Sequence, residues 1–156
     1  MTKLDRADRK ILNVLQEDSN ITNVALADRV GLSPPACLRR VRALRDSGVI
    51  ERDVSLVDPV KVGRRLTAFV EVTLARHSAD FKTEFQRRVL DERAISQCYM
   101  VTGETDALLI VNVEDMDAYE AFASRMFDAN QRIIRYRTLF AIRRVKFETA
   151  IPLSGP

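Results

Sequence analysis

The spacing of apolar residues changes along the chain, and this change limits the possible folds more than any other feature. Before residue 47 apolar side chains recur at intervals of helical turns, as Leu4, Ile11 and Leu15 do, which indicates helices with one buried face. From residue 66 to residue 74 they occupy every second position, which is typical of a half-buried strand. The sequence therefore predicts a helical part followed by a part that contains a sheet.

Capping residues divide the first part into three helices. Asp, Thr and Ser side chains can accept hydrogen bonds from the free N–H groups of a first turn, and glycine often follows a last turn. Asp5, Thr22 and Ser33 are candidate caps, and Gly31 is a candidate stop. The predicted helices span about residues 5–17, 22–30 and 34–46.

A short extended segment and a hinge follow the third helix. Residues 49–57 predict a strand or wing, and residues 58–63 carry the Asp-Pro and Gly signals of a linker. We therefore divide the chain into a helix-turn-helix domain with its hinge, residues 1–60, and a second domain, residues 61–156.

The second domain predicts four strands and two helices. Strands are expected at residues 66–74, 95–102, 107–113 and 133–148. One helix is capped by Ser78. The apolar residues at helical spacing are Phe81, Phe85 and Val89 in this helix and Met116, Tyr119, Phe122 and Met126 in the next. The order β-α-β-β-α-β is ferredoxin-like, so the fold class is α+β with a winged helix-turn-helix domain in front.

Composition excludes several classes of protein. Hydrophobic residues make up 46% of the chain and charged residues 30%, which indicates a globular protein. No apolar run approaches the roughly 20 residues of a membrane helix, and residues 1–10 lack a secretory signal. Cys37 and Cys98 are too few and too distant for a disulfide framework or a zinc site, so a reducing cytoplasm is expected. The net charge of +3 permits DNA binding without requiring it.

The third predicted helix carries arginines suited to DNA. Three helices with a short turn before the third form the arrangement that lays that helix in a major groove. Arginines can grip phosphates or guanine, and free N–H groups at the helix start can hold a phosphate. The inward residues are predicted to be Leu38, Val41 and Leu44, and the outward ones Ala36, Arg39 and Ala43, flanked by Arg40 and Arg42. The predicted DNA contacts are Ser33, Pro35, Arg39, Arg40 and Arg42, with Arg39 as first choice for a base.

Two considerations leave an alternative open for this helix. A run of charges is most often only a solvated helix face. The turn before the helix is also one residue longer than the strictest helix-turn-helix spacing, which would place Cys37 and Arg40 where apolar side chains belong.

The predicted hairpin of the second domain can bind a small molecule. Backbone N–H groups between Gly103 and Asp106 can receive a carboxylate, and the Asp106 side chain can receive an ammonium. An amino acid carries both groups. The alternative is a plain turn, in which Gly103 supplies backbone freedom and Asp106 a local hydrogen bond.

Collinear motifs across nearly the whole chain resemble the Lrp/AsnC family of leucine-responsive or feast/famine regulators. They include Leu4-Asp5-x-x-Asp8, Ala27-x-x-Val30-Gly31-Leu32-Ser33-Pro34, Cys37-Leu38-Arg39-Arg40-Val41-Arg42, Gly48-Val49-Ile50 and Val101-x-Gly103-x-x-Asp106. The resemblance implies a cytoplasmic prokaryotic transcription regulator, built from dimers that assemble further, often to octamers, and commonly tuned by an amino acid. It also implies the longer turn before the third helix.

The resemblance extends to the effector loop, with departures. Gly103 and Asp106 match the family's effector-loop glycine and aspartate, and the expected effector contacts are Met100, Thr102, Gly103, Glu104 and Asp106. Thr105 and Ala107 stand where the family often has aromatic residues. With these smaller walls we expect the site to accept a bulkier or differently shaped amino acid than leucine, which calorimetry can test.

An uncovered sheet face predicts assembly. Two helices cover one face of a four-stranded sheet, and the alternate residues Phe69, Tyr136, Thr138 and Phe140 are predicted to make the other face too apolar to stay wet. A second subunit would cover it. Two-fold pairing predicts a pseudo-palindromic DNA site with half-sites one helical turn, or a multiple, apart.

A small enzyme and an architectural DNA binder are the rival interpretations. The single histidine, His77, lies on a predicted loop, and Asp115 and Asp117 suit a helix cap and its first turn better than an acid pair. The five glycines form neither the Gly-x-x-x-x-Gly-Lys motif nor the Gly-x-Gly-x-x-Gly motif, both of which bind phosphate groups. We therefore expect no enzyme, no metal and no cofactor other than an amino-acid effector. Intact DNA binding without response to any amino acid would favour an architectural role.

Overall fold

Side-chain caps set the starts of the first two helices. The computed structural model describes residues 4–75, 79–128 and 133–153, with the backbone alone at residues 79–82. Asp5 accepts a hydrogen bond from the Asp8 N–H at 2.8 Å, and Thr22 accepts one from the Ala25 N–H at 3.3 Å. Gly31, at φ 72°, ends the second helix in a left-handed conformation that favours glycine. The helices are α1 (Arg6–Glu17), α2 (Asn23–Val30) and α3 (Pro34–Asp46).

The buried stripe of α3 differs from the predicted one. Cys37 is fully buried, whereas Leu38 is 38% exposed. The prediction that Leu38 faces inward was wrong by one position. Both residues lie at helical spacing from Val41, so the stripe alone does not choose between them. Packing on α1 and α2 decides the rotation of the helix. The buried core of the three helices is Ile11, Leu12, Leu26, Ala27, Val30, Cys37, Val41 and Leu44.

The predicted strand at residues 49–57 is not formed in the described part of the chain. A strand needs a neighbour with which to exchange backbone hydrogen bonds, and these residues pair with none that the structure describes. Val54, Leu56 and Val57 are exposed along it. A short 3₁₀ helix (Val60–Val62) and Gly63 at φ 83° follow, where turn signals predicted a hinge.

The second half of the chain forms the predicted ferredoxin-like arrangement. Its elements are β1 (Leu66–Leu74), α4 (Ala79–Asp91), β2 (Ile95–Met100), β3 (Ala107–Val113), α5 (Met116–Ala123), a π-helical turn (Ser124–Asp128) and β4 (Ile133–Phe140). The four antiparallel strands have the order β2-β3-β1-β4, with helices between β1 and β2 and between β3 and β4. The predicted cap Ser78 lies outside the described residues.

The last strand is shorter than predicted. β4 ends at Phe140 rather than at residue 148. Phe140 pairs with Ala68, and the Ala141 N–H donates to the Thr67 carbonyl at 2.9 Å, so the ladder reaches the start of β1 and runs out of partners. The length of a strand is limited by its partner strand. The partner is distant in sequence, so the residues around Phe140 do not show where β4 ends.

Alternation of side chains gives the sheet one buried face and one open face. Val70 and Val72 on β1 are fully buried in the core beside α4 and α5. The residues directly opposite them on β4 are Thr138 and Tyr136. Since opposite residues of an antiparallel pair share a face, Tyr136, Thr138 and Phe140 lie on the covered face, and their predicted place on the open face was wrong. The Tyr119 hydroxyl hydrogen bonds to Thr138, and the Phe140 ring meets the Tyr119 ring edge-on.

The chain divides into two compact units. The helical unit contains residues up to Ser55 together with those from Lys146 onward, and the sheet unit contains Leu56–Val145. In the helical unit, the Ile151 N–H donates to the Gln16 side chain at 2.7 Å, and the Gln16 amide donates to the Ile151 carbonyl at 3.2 Å. This double hydrogen bond holds the C-terminal segment on α1.

Candidate DNA-binding and effector sites

The outward side of α3 forms a continuous face, which we call the reading face. It lines a shallow cavity of about 400 Å³. Its residues repeat at intervals of three and four, which keeps them on one side of a helix. They are Pro35, Leu38, Arg39, Arg42, Ala43 and Asp46.

Two of the predicted DNA contacts supply free positive charge to this face. Arg39 and Arg42 are exposed, and no carboxylate among the described residues forms an ion pair with either. Arg45, on the last turn of the same helix, differs because it contacts Asp53 at 2.8 Å. Arg39 and Arg42 are therefore available to phosphates or base edges.

Arg40, which is also a predicted DNA contact, makes ion pairs within the helical unit. Its guanidinium contacts Asp5 at 2.7 Å and Asp8 at 2.8 Å, which joins α3 to the first turn of α1. The hydrogen bond from the Asp8 N–H, followed by that from Arg40, holds the pKa of Asp5 below its usual value. The hydrogen bonds to Asp8 and Asp5 raise the pKa of Arg40. Arg40 therefore differs from Arg39 and Arg42, because its charge is paired with two carboxylates at the start of α1.

The Ser33 hydroxyl at the start of α3 is available for a further contact. Ser33 is the N-cap, yet its exposed side chain makes no capping hydrogen bond. The Asn23 amide donates to the Pro34 carbonyl at 2.9 Å and ties α2 to this turn. Ser33 and Pro35 therefore lie at a fixed, exposed helix start, as a phosphate contact requires.

The hairpin between β2 and β3 is held by one of the predicted effector residues. One Asp106 carboxylate oxygen accepts from the Leu74 N–H at 2.8 Å, and the Asp106 N–H donates to the Val72 carbonyl at 2.9 Å. Gly103 has φ 128°, where a residue with a side chain would be strained. Met100, Thr102 and Glu104 are exposed around the loop.

A cavity of about 470 Å³ lies beside this loop, and we call it the charged cavity. Arg137 makes two hydrogen bonds of 2.8 Å to Glu71 across β1 and β4. These bonds hold the pKa of Glu71 below its usual value and raise the pKa of Arg137. Arg135 forms no ion pair within the part of the chain that the structure describes. The lining residues are Glu71, Thr73, Glu104, Thr105, Arg135, Tyr136 and Arg137.

Most residues of the charged cavity were missed by sequence reasoning. Of the predicted effector contacts, only Glu104 lines it. Glu71 and Arg137 are paired in register, as are Thr73 and Arg135, and all four are on the open face of the sheet. Polar residues that alternate with buried Val70 and Val72 were the available signal, but the register of β1 with β4 is needed to join them.

The two residues predicted to form smaller walls of an effector site, Thr105 and Ala107, have different surroundings. Ala107 is fully buried in the core of the sheet unit, so it does not widen the charged cavity. Thr105 does line the cavity, and its hydroxyl donates to the Val72 carbonyl at 2.8 Å. β3 turns position 107 toward the helices, whereas Thr105 lies at the cavity.

Neither a membrane-spanning helix nor a metal-ligand cluster is found among the residues that the structure describes. No described helix is long and apolar enough to cross a bilayer. No group of three His, Cys, Asp or Glu side chains in the described ranges is arranged to hold a metal ion.

Together, the helix-turn-helix unit and the ferredoxin-like unit define a DNA-binding regulator with a ligand-binding domain. Residues 4–51 match the family of winged helix-turn-helix DNA-binding domains, and residues 67–151 match the Lrp/AsnC ligand binding domain. The chain belongs to the Lrp/AsnC family of transcriptional regulators, as the sequence motifs predicted.

Relatives that match most of the chain agree with this assignment. An HTH-type transcriptional regulator from Sinorhizobium fredii is 44% identical over 97% of this chain and 89% of its own length. The leucine-responsive regulatory protein of Escherichia coli K12 is 46% identical over 74% of this chain and 71% of its own length. These relatives are regulators and not enzymes.

Solved structures share the architecture. An AsnC family regulator from Agrobacterium tumefaciens has a TM-score of 0.90 at 41% identity, covering 96% of this chain and 97% of that one. A transcriptional regulator from Neisseria meningitidis, solved as a complex with L-Met, has a TM-score of 0.91 at 35% identity with the same coverage.

Proposed function

We propose that this regulator binds specific duplex DNA through the reading face and responds to an amino acid bound at the charged cavity and the adjoining loop. The observation that carries the DNA proposal is the pair Arg39 and Arg42, which point outward without a carboxylate partner among the described residues. DNA presents a dense row of phosphates, and arginine binds phosphate or guanine through two parallel hydrogen bonds.

Four residues form the DNA contact in this proposal. Ser33 and Pro35 position the helix start against a phosphate, Arg39 reads a base edge, and Arg42 contacts the phosphate backbone. Arg40 acts through Asp5 and Asp8 by fixing the rotation of α3. Because the proposed ligand is duplex DNA, we place the protein in the cytoplasm with the nucleoid.

The effector is proposed to be an amino acid because the charged cavity presents both signs of charge. Arg135 can hold a carboxylate, and Glu104 can hold an ammonium. The L-Met complex of the Neisseria relative supports this ligand class. Met100, Thr102, Gly103 and Asp106 remain proposed contacts, with Asp106 also shaping the loop.

Assembly into dimers, and further to octamers, completes the proposal. On the open face of the sheet, Phe69 lies opposite Ile110 on β3 and Leu139 on β4, and Phe69 and Leu139 are exposed. Such a face is stabilised when a second copy covers it. Two copies would present two reading faces to half-sites one helical turn, or a multiple, apart.

Selection from a random duplex library, followed by binding assays with each of the twenty amino acids, tests these proposals. We expect one enriched, pseudo-palindromic duplex and a change in its affinity with at least one amino acid. Failure to enrich any duplex would contradict specific DNA binding. An enriched duplex whose affinity no amino acid changes would contradict the effector proposal and favour an architectural binder.

A further inference from the structure

Leu38 is an apolar side chain in the middle of a face that is otherwise polar or small. It is 38% exposed on the reading face, one turn from Pro35 and one turn from Arg42. Arg39 is its neighbour in the chain. A leucine in this place is therefore surrounded by the two cations that we propose for DNA.

Leu38 lies outside the buried core of the helical unit. The buried residues that α3 contributes to the core of the helical unit are Cys37, Val41 and Leu44, whereas Leu38 keeps 38% of its surface exposed. Large apolar side chains stabilise a protein in proportion to the surface they bury, so the exposed part of Leu38 contributes nothing to folding. A role in binding explains its place on the reading face.

DNA offers one apolar group to such a side chain in the major groove. Among the four bases only thymine presents a methyl group there, and the remaining groups on the base edges are hydrogen-bond donors and acceptors. Arg39 and Arg42 can satisfy acceptors and phosphates, but an arginine cannot distinguish thymine by its methyl group. Leu38 can.

We propose that Leu38 recognises thymine through contact with its 5-methyl group, which makes it a specificity-determining residue of the reading face. This assignment rests on the proposed DNA-binding function and adds the base class that one side chain selects. The shallow cavity of about 400 Å³ along the reading face has Leu38 as part of its wall, between the helix start and Arg42.

Deoxyuridine substitution tests the proposal, because it removes the thymine methyl group and leaves the hydrogen-bonding groups unchanged. The duplex is the one enriched by the wild-type protein from a random library, with each thymine replaced in turn. We expect one thymine per half-site at which replacement weakens wild-type binding about fourfold, the factor expected for burial of one methyl-sized group. Leu38→Ala should bind the duplex with thymine at this position and the duplex with deoxyuridine there equally. Leu38→Met should retain part of the preference for thymine.

Leu90→Ala is the matched control, since Leu90 is an exposed leucine (86%) on α4 of the sheet unit. It should keep the full preference. Circular dichroism checks that the Leu38 variants are folded, and the Met variant keeps the test decisive if the Ala variant unfolds.

Three results would overturn the assignment. They are wild-type binding that is indifferent to every deoxyuridine replacement, a folded Leu38→Ala protein that keeps the full preference, and an enriched duplex with no selected thymine. Each leaves specific DNA binding intact, whereas failure to enrich any duplex contradicts the proposed function itself.

Discussion

Two uncovered surfaces of this protein carry arginines in opposite electrostatic settings. On the reading face, Arg39 and Arg42 have no ion-pair partner within the residues described. In the charged cavity, Arg137 is bound by both oxygens of Glu71, and Glu104 lies on the same wall as Arg135.

The difference between unpaired and paired arginines suits the two surfaces to different kinds of ligand. Unpaired cations attract a polyanion and release its counterions, so their binding depends strongly on salt. A wall with balanced charges has little attraction for a polyanion, but it can orient a small molecule that carries one charge of each sign. Local pairing of charges, rather than the net charge of +3, thus distinguishes the two surfaces.

The largest expected effect is a loss of DNA affinity when the reading face is changed. Arg39→Ala should weaken binding to the selected duplex by about 1 to 3 kcal/mol because a base contact is lost, with a much smaller change on random DNA. Fluorescence anisotropy with both duplexes measures the difference. Arg87→Ala, at an exposed arginine of α4, is the control and should bind as the wild type does. Equal losses on both duplexes would assign Arg39 to the backbone instead.

The second expected effect concerns the charged cavity. Arg135→Ala should weaken amino-acid binding about tenfold or more, because a hydrogen bond between charged groups contributes roughly 1.5 to 3 kcal/mol. Calorimetry with L-Met and with each amino acid that changes DNA affinity measures it. DNA binding without effector should stay unchanged. If the variant binds these amino acids normally, the carboxylate lies elsewhere.

Salt dependence sharpens the comparison at a third position. Arg42→Ala should weaken binding to selected and random duplexes alike and lower the slope of log affinity against log salt by about one, as expected for the loss of a phosphate contact. Titrations at several salt concentrations give the slope. An unchanged slope would remove Arg42 from the backbone contacts.

The smallest effect is a pH dependence of stability in the helical unit. The pKa of Asp5 is lowered in the folded protein, so its contribution to stability is present above its unfolded value of 3.8 and is lost as the pH falls from there through the folded pKa. Asp5→Asn keeps a good N-cap residue but removes the charge facing Arg40. Urea unfolding between pH 2 and pH 6 should show that the free energy of unfolding falls less with decreasing pH in the variant than in the wild type. Identical profiles would show that Asp5 contributes nothing to acid sensitivity.

Helix boundaries were predictable because the groups that set them are close in sequence. Asp5 and Thr22 accept hydrogen bonds from N–H groups three residues away, and Gly31 adopts the left-handed conformation expected at a helix end. The predicted third helix, residues 34–46, has the bounds of α3. Alternation likewise located β1, an apolar run located β3, and the motifs identified the family.

Which side of each element faces the core, and which residues meet across it, was decided only by tertiary packing. Leu38 rather than Cys37 faces outward because α1 and α2 select one of two nearly equivalent rotations of α3. Arg40 turns to Asp5 and Asp8, more than 30 residues away in the chain. Glu71, Arg135 and Arg137 form one wall because β1 and β4 pair in one register. Local spacing determines secondary structure through interactions within one or two turns, whereas the sites depend on contacts between segments that only the folded chain brings together.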